Sequence, residues 1–194
     1  MFRVLFLLCV IAPSVLMAQE PARPPLFLQS AYAQVGKTVT YDPAYERISF
    51  PGGDVPLERG VCTDVIVRAY RGIGIDLQLL VNQDMRKAFR AYPKAWGQSR
   101  PDPNIDHRRV QNLEVFFKRH GKELPVSKEP GDYKPGDIVS WRLPDGRPHI
   151  GLVSDRQSGG VPLIVHNIGG GAVVENTLFE FDIAGHYRYG LDKK

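Results

Sequence analysis

Three side chains in this 194-residue sequence combine types that support nucleophilic catalysis: Cys62, His149 and His166. A thiolate is a strong nucleophile, and an imidazole within reach can take its proton and return it. A third polar group then holds the imidazole in one orientation. Cys62 follows Gly60-Val61 and opens the segment 61–71. There Val61, Val65 and Ala69 fall on one stripe, with Ile66 and Tyr70 beside it, which is helical spacing. Gly72 and Gly74 mark its end. A thiol at the start of a helix sits in a field that favours thiolate. A small buried residue on an apolar stripe would occupy the same place, so position alone does not choose between the two.

His149 opens His149-Ile-Gly-Leu-Val-Ser-Asp155, and His166 lies in Leu163-Ile-Val-His-Asn167. Both segments read as strands bounded by turn residues. Successive side chains on a strand face opposite sides, so only one of His166 and Asn167 can point at His149. Asn serves as the orienting group in papain, so both stay open. Cys62 and Arg68 also fit Cys-x5-Arg, the spacing of a phosphatase loop. That loop needs free backbone N–H groups to cradle phosphate. Here an acid and four β-branched residues stand in between and read as helix, which carries Arg68 away from the thiol.

The cysteine count sharpens the case for chemistry. The chain has two cysteines, Cys9 and Cys62. Cys9 falls in the apolar run 4–17 that follows Arg3 and precedes Ala18, the layout of a secretory signal peptide over residues 1–18. The run is too short for a membrane-spanning helix. Cleavage removes Cys9 and any membrane anchor. The exported protein, periplasmic or secreted, then keeps one thiol where thiols are usually paired.

The elements that must position these residues follow from composition. Hydrophobic residues make up 43% and charged residues 24%, ordinary for a globular chain, while 16 prolines and 19 glycines favour short elements with many turns. The net charge of +4 is spread without a basic run, which argues against a nucleic-acid partner. Residues 19–26 read as a linker and 27–194 as one domain. Helices are expected over 27–37, 61–71, 79–91 and 108–120, and a short strand over 45–50. After Gly121 the pattern turns to strands over 137–141, 149–154, 163–167, 172–175 and 187–189. Helices first and a meander second is an α+β layout, with N-terminal helices packed on an antiparallel sheet.

Asp102, Asp106, His107, Arg108 and Arg109 crowd one loop. Adjacent residues seldom ligate one ion, and no spaced ligand motif accompanies them, so neither a metal nor another cofactor is expected. Arg108 or Arg109 could bind a substrate carboxylate bidentately, or the loop could simply cap the helix over 108–120. Asp64 is a first-turn acid that could also serve binding.

The ordered set resembles the NlpC/P60 cell-wall peptidases of the papain-like clan: a helix-start cysteine, then Pro-Gly-Asp-Ile-Val139, His-Ile-Gly-Leu-Val153 and Ile-Val-His166. The resemblance spans residues 60–167. The whole chain is closer still to the bacterial family called domain of unknown function 1287, through Gly-Val-Cys-Thr-Asp64, Asn-Ile-Asp-His-Arg-Arg109, Val-His-Asn-Ile-Gly169 and Gly-His-Tyr-Arg-Tyr189. The peptidase resemblance implies a papain-like fold with Cys62 as nucleophile, His149 as base and His166 as orienting residue. It implies a peptidoglycan peptide as substrate. Tyr45 would be an oxyanion-hole donor, since those peptidases often place a tyrosine ahead of the cysteine. The cysteine motif departs from theirs: Val61 precedes it, and Thr63 and Asp64 follow. Two other readings of the same site are a thiol acyltransferase or thioesterase, and a non-catalytic module that binds cell wall or a partner.

Overall fold

The computed structural model of the protein describes residues 26–191. The expected signal peptide and residues 19–25 of the expected linker lie outside the described residues. Four helices precede or flank the sheet: α1 (Leu26–Tyr32), α2 (Cys62–Arg71), α3 (Leu77–Ala88) and α4 (Val110–His120). Eight strands follow chain order: β1 (Thr40–Tyr41), β2 (Arg59–Gly60), β3 (Lys122–Leu124), β4 (Ile138–Arg142), β5 (Pro148–Ser158), β6 (Val161–Asn167), β7 (Ala172–Glu175) and β8 (Asp182–Arg188). β1 and β2 form a small parallel pair. The others make a six-stranded antiparallel sheet in the order β3-β8-β4-β5-β6-β7.

The α+β layout with helices against an antiparallel sheet is the architecture found. Alternation along the strands sorts the core into two clusters. Ile138, Ile150, Leu152, Val165 and Tyr187 pack with α1 to α4, around α2 residues Val65, Ile66, Ala69 and Tyr70. Val139, Trp141, Val153 and Ile164 pack with Tyr133 and Leu178 in a separate cluster. α2 is buried along nearly its whole length, from Cys62 to Tyr70, which is why its N-terminus is fixed against the sheet.

The structure departs from expectation at three places. Residues 45–50 form no strand. Their backbone groups are satisfied by side chains instead: Ile48 N–H donates to Asn104 Oδ1 at 3.0 Å, and Ser49 C=O accepts from Gln78 Nε2 at 2.9 Å. The second is β3, which the sequence does not announce because its Lys122-Glu123-Leu124 is an exposed edge paired on one side to β8. The helix expected over 27–37 also ends early, at Tyr32, and continues as turns. The β5–β6 connection is the two-residue turn Gly159-Gly160, with φ of 59° and 81°. That conformation suits glycine and matches the twist of a hairpin.

Candidate active site

α2 begins at Cys62, so the thiol lies in the first turn of a helix as its position in sequence implies. The turn is fixed from within. Asp64 Oδ2 accepts the Val61 N–H at 2.7 Å, the acidic half of a capping box. The Ile150 N–H on β5 and the Tyr41 side chain lie beside the sulfur. Burial pushes the thiol up to about 12, Asp64 adds to the rise, and the backbone N–H groups of Ile150, Thr63 and Cys62 only partly offset it. The resting thiol is therefore neutral. The helix-start field that favours thiolate is present, but with Cys62 only 3% exposed desolvation outweighs it.

Cys62 and His149 line one cavity of about 600 Å³, at the end of the sheet where the start of α2 meets the β4–β5 hairpin. Among the described residues no hydrogen bond joins the thiol to the imidazole. His149 Nε2 instead contacts His166 Nδ1 at 2.8 Å, which leaves Nδ1 as the nitrogen available to the cavity. Catalytic contacts of this kind often tighten only when substrate is bound. Trp141 lies opposite His149 in the β4–β5 register and stacks on its ring, 5.7 Å between centroids. Gly151 makes the histidine pair possible. A Cβ there would come within 3.2 Å of His166 Cβ and 2.6 Å of Ile164 Cγ2, so only a glycine lets β6 carry His166 this close.

Both rings are kept neutral. Burial lowers His149 to about 3, with His166 and Arg147 contributing like-charge pressure, and burial lowers His166 to about 4. His166 Nε2 is buried with no hydrogen-bond partner. If His149 is to accept a proton at Nδ1, its Nε2 must carry hydrogen and donate to His166 Nδ1. His166 then carries its own hydrogen on the orphaned Nε2.

Asn167 faces the other way. Its amide donates to Gly60 C=O at 3.0 Å, and its Oδ1 accepts the N–H groups of Gly169 and Gly171, each at 3.2 Å. It therefore anchors the segment two residues before the thiol rather than His149. Tyr45 lines the cavity, but its hydroxyl donates to Asp102 Oδ2 at 3.0 Å and accepts from Asn104 Nδ2 at 2.9 Å, and the side chain is exposed at the rim. Asp64 and Arg108 are brought together as a buried bidentate pair, with Nε–Oδ1 at 2.9 Å and Nη2–Oδ2 at 3.0 Å. Arg108 also donates to the Asp42 and Ala44 carbonyls at 3.1 and 3.0 Å. It ties the nucleophile's helix to the loop after β1. Arg109 lies with its guanidinium 4.0 Å over the Trp96 ring and bonds Gln98 and Asp106. Asp106 and His107 are buried within the loop before α4. Arg68 is clamped by Asp54 through Nε at 2.9 Å and Nη2 at 3.1 Å, and donates to three carbonyls, Val55, Pro56 and Arg59. A phosphatase arrangement with the thiol is absent.

Sequence reasoning missed Tyr41 and Arg147. Tyr41 pairs with Gly60 across the parallel β1–β2 contact, a two-residue pairing that no periodicity reveals. Arg147 follows the turn Asp145-Gly146 and stands two residues before His149, and that adjacency was the available signal. Three arginines, 108, 109 and 147, line the cavity, and among the described residues no Asp or Glu does.

The molecule is thus an α+β domain with a buried thiol and a cross-strand histidine pair on one basic cavity. The model of the family described as "Domain of unknown function (DUF1287)" matches residues 28–189, and the chain belongs to that family. It is similar to the "Uncharacterized protein YijF" of Escherichia coli (strain K12), 53% identical over 183 residues, covering 88% of this chain and 89% of that protein.

Proposed function

We propose that this protein is an exported cysteine hydrolase of the papain-like NlpC/P60 type, cleaving an amide bond of a peptidoglycan stem peptide. The observation that carries the reading is the shared cavity wall: a first-turn thiol, Cys62, and an imidazole, His149, whose far nitrogen is held by His166. Because thiol and imidazole are both neutral at rest, the proton moves as attack occurs. Cys62 Sγ bonds to the carbonyl carbon while its proton passes to His149 Nδ1, and the carbonyl electron pair moves onto oxygen. The Cys62 N–H and the Tyr41 hydroxyl, whose pKa burial and the neighbouring thiol raise to about 12, are the donors available to that oxyanion. Collapse breaks the C–N bond, and His149 returns its proton to the leaving amine. Water then attacks the thioester with His149 taking its proton. The C–S bond breaks and Cys62 recovers its hydrogen from the imidazolium.

Mass spectrometry of purified peptidoglycan fragments, incubated with wild type and with Cys62→Ala, tests this. The expected result is a peptide bond replaced by two products that together gain one water, with wild type alone. Full activity in Cys62→Ala would end the mechanism. Intact fragments with both proteins, together with retained binding, would favour the binding module.

A further inference from the structure

We propose that Arg147 is a specificity-determining residue that reads a free carboxylate on the substrate, beside the bond presented to Cys62. This rests on the hydrolase reading above and names the class of substrate it takes. Three cations line the cavity, and the partners of each differ. Arg108 spends its guanidinium on Asp64 and two carbonyls, and is 7% exposed. Arg109 is stacked on Trp96 and held by Gln98 and Asp106. Arg147 is different. Its Nε is tethered to Asp145 Oδ2 at 2.6 Å, and its backbone N–H to Asp145 Oδ1 at 3.0 Å. Among the described residues its two terminal nitrogens carry no hydrogen bond, and the side chain is 70% exposed. The tether fixes the stem and leaves the fork end open at the mouth of the cavity. A planar fork with two parallel N–H groups is the geometry that fits a carboxylate. The Asp145 contact does not compete strongly, because an ion pair exposed on both sides is worth little.

The position adds a consequence. Beyond burial and His166, the charge of Arg147 is among the influences that hold His149 low. A carboxylate seated on Arg147 removes that pressure just where an imidazolium must form. A neutral substrate of the same shape would lack both the anchor and the relief.

A pair of alkylating probes isolates this without a known substrate. Iodoacetate and iodoacetamide both form an S–C bond to Cys62 with loss of iodide, and differ only in the carboxylate. Their rate ratio at one pH cancels the thiolate fraction, and a free N-acetylcysteine control removes intrinsic reactivity. In mildly alkaline, low-salt buffer wild type is expected to prefer iodoacetate by about tenfold over the control. Arg147→Gln brings the ratio to that of the control, Arg147→Lys keeps part of it, and Arg109→Gln keeps most of it. An unchanged ratio in Arg147→Gln, or no preference in wild type, overturns the inference. Peptidoglycan fragments run in parallel separate the two readings. Cleavage with an unmoved ratio sinks Arg147 alone, whereas a thiol inert to both probes with intact fragments sinks the hydrolase and this inference with it.

Discussion

Two contacts at the same sheet place a buried histidine against a polar partner at 2.8 Å: His186 on β8 with Asp137, just before β4, and His149 with His166 on β5 and β6. Around Asp137 every requirement is met. Its carboxylate takes His186, the Arg188 guanidinium at 2.6 and 2.9 Å, and the Lys134 N–H at 2.9 Å. His186 Nδ1 faces Pro125 C=O at 3.2 Å, and Tyr133 stacks on its ring. Burial alone would raise the Asp137 carboxyl, but those hydrogen bonds outweigh it and hold it below its ordinary value. At His149 and His166 nothing compensates burial. Among the described residues no carboxylate contacts the pair and one nitrogen has no partner, and both rings are driven to neutrality. A satisfied buried network fixes a fold; an unsatisfied one is retained where a base must change protonation. The Asp137 cluster is therefore read as structure and the histidine pair as chemistry.

The sharpest way to break that contrast is to remove one member of each. His149→Ala is expected to lower hydrolysis of peptidoglycan fragments by about 10³-fold, within the range for a lost general base, and to cost only about 1–3 kcal/mol of stability through the His166 nitrogen it leaves unpaired. Asp137→Ala is expected to do the reverse. It removes the acceptor that His186 and Arg188 share and leaves a buried hole, at a cost of about 3–5 kcal/mol, read by urea unfolding. Should Asp137→Ala leave stability intact while abolishing turnover, the assignment of roles would be inverted.

His166→Leu separates function from stability within one residue. It deletes the orphaned Nε2 but takes the acceptor from His149 Nε2, and since each buried unpaired group costs about 1–3 kcal/mol the two offset and the unfolding free energy is expected to move by less than about 1 kcal/mol. Turnover falls ten- to a hundredfold, about 1.4–2.7 kcal/mol in the barrier, because His149 loses its hold. The variant also flattens stability in acid. His166 titrates at about 4 when folded and near ~6.5 when unfolded. Over that window the unfolded chain binds the proton, so wild-type stability falls as pH drops from ~6.5 toward ~4. The leucine variant loses that part of the slope. An unchanged acid profile would show that His166 is not buried neutral.

How much of this could be read in advance differs between the two regions. The helix stripe from Val61 to Tyr70 and the strand alternation around Ile150 and Val165 are periodic, so α2 and the central strands were legible, and with them the addresses of Cys62, His149 and His166. Asp137 was visible as part of a motif but not as the hub for Arg188, because that contact joins residues 51 apart in the chain with no shared pattern. Segment 45–50 looked like a strand because its residues favour one, yet Asn104 and Gln78 claim its backbone groups. Tyr41, rather than Tyr45, stands beside the thiol because a two-residue parallel pairing sets it opposite Gly60. The Asp64–Arg108 pair was foreseen only as two separate binding residues, since sequence shows charges and not whether they spend themselves on each other.

The smallest expected effect is the most diagnostic one for the resting site. With the thiol near 12 and His149 near 3, the imidazole cannot stabilise a thiolate in the free protein. Alkylation of Cys62 by iodoacetamide at neutral pH should then change by less than about threefold in His149→Ala, although turnover collapses. The wild-type rate should climb steadily with pH through the alkaline range, since the thiolate fraction grows about tenfold per pH unit below the thiol's own pKa. A preformed thiolate–imidazolium pair behaves otherwise. It gives a plateau from mildly acidic pH upward and loses most of it when His149 is removed. Observing that plateau would mean that burial does not dominate at Cys62, and that the histidine pair carries charge before any substrate arrives.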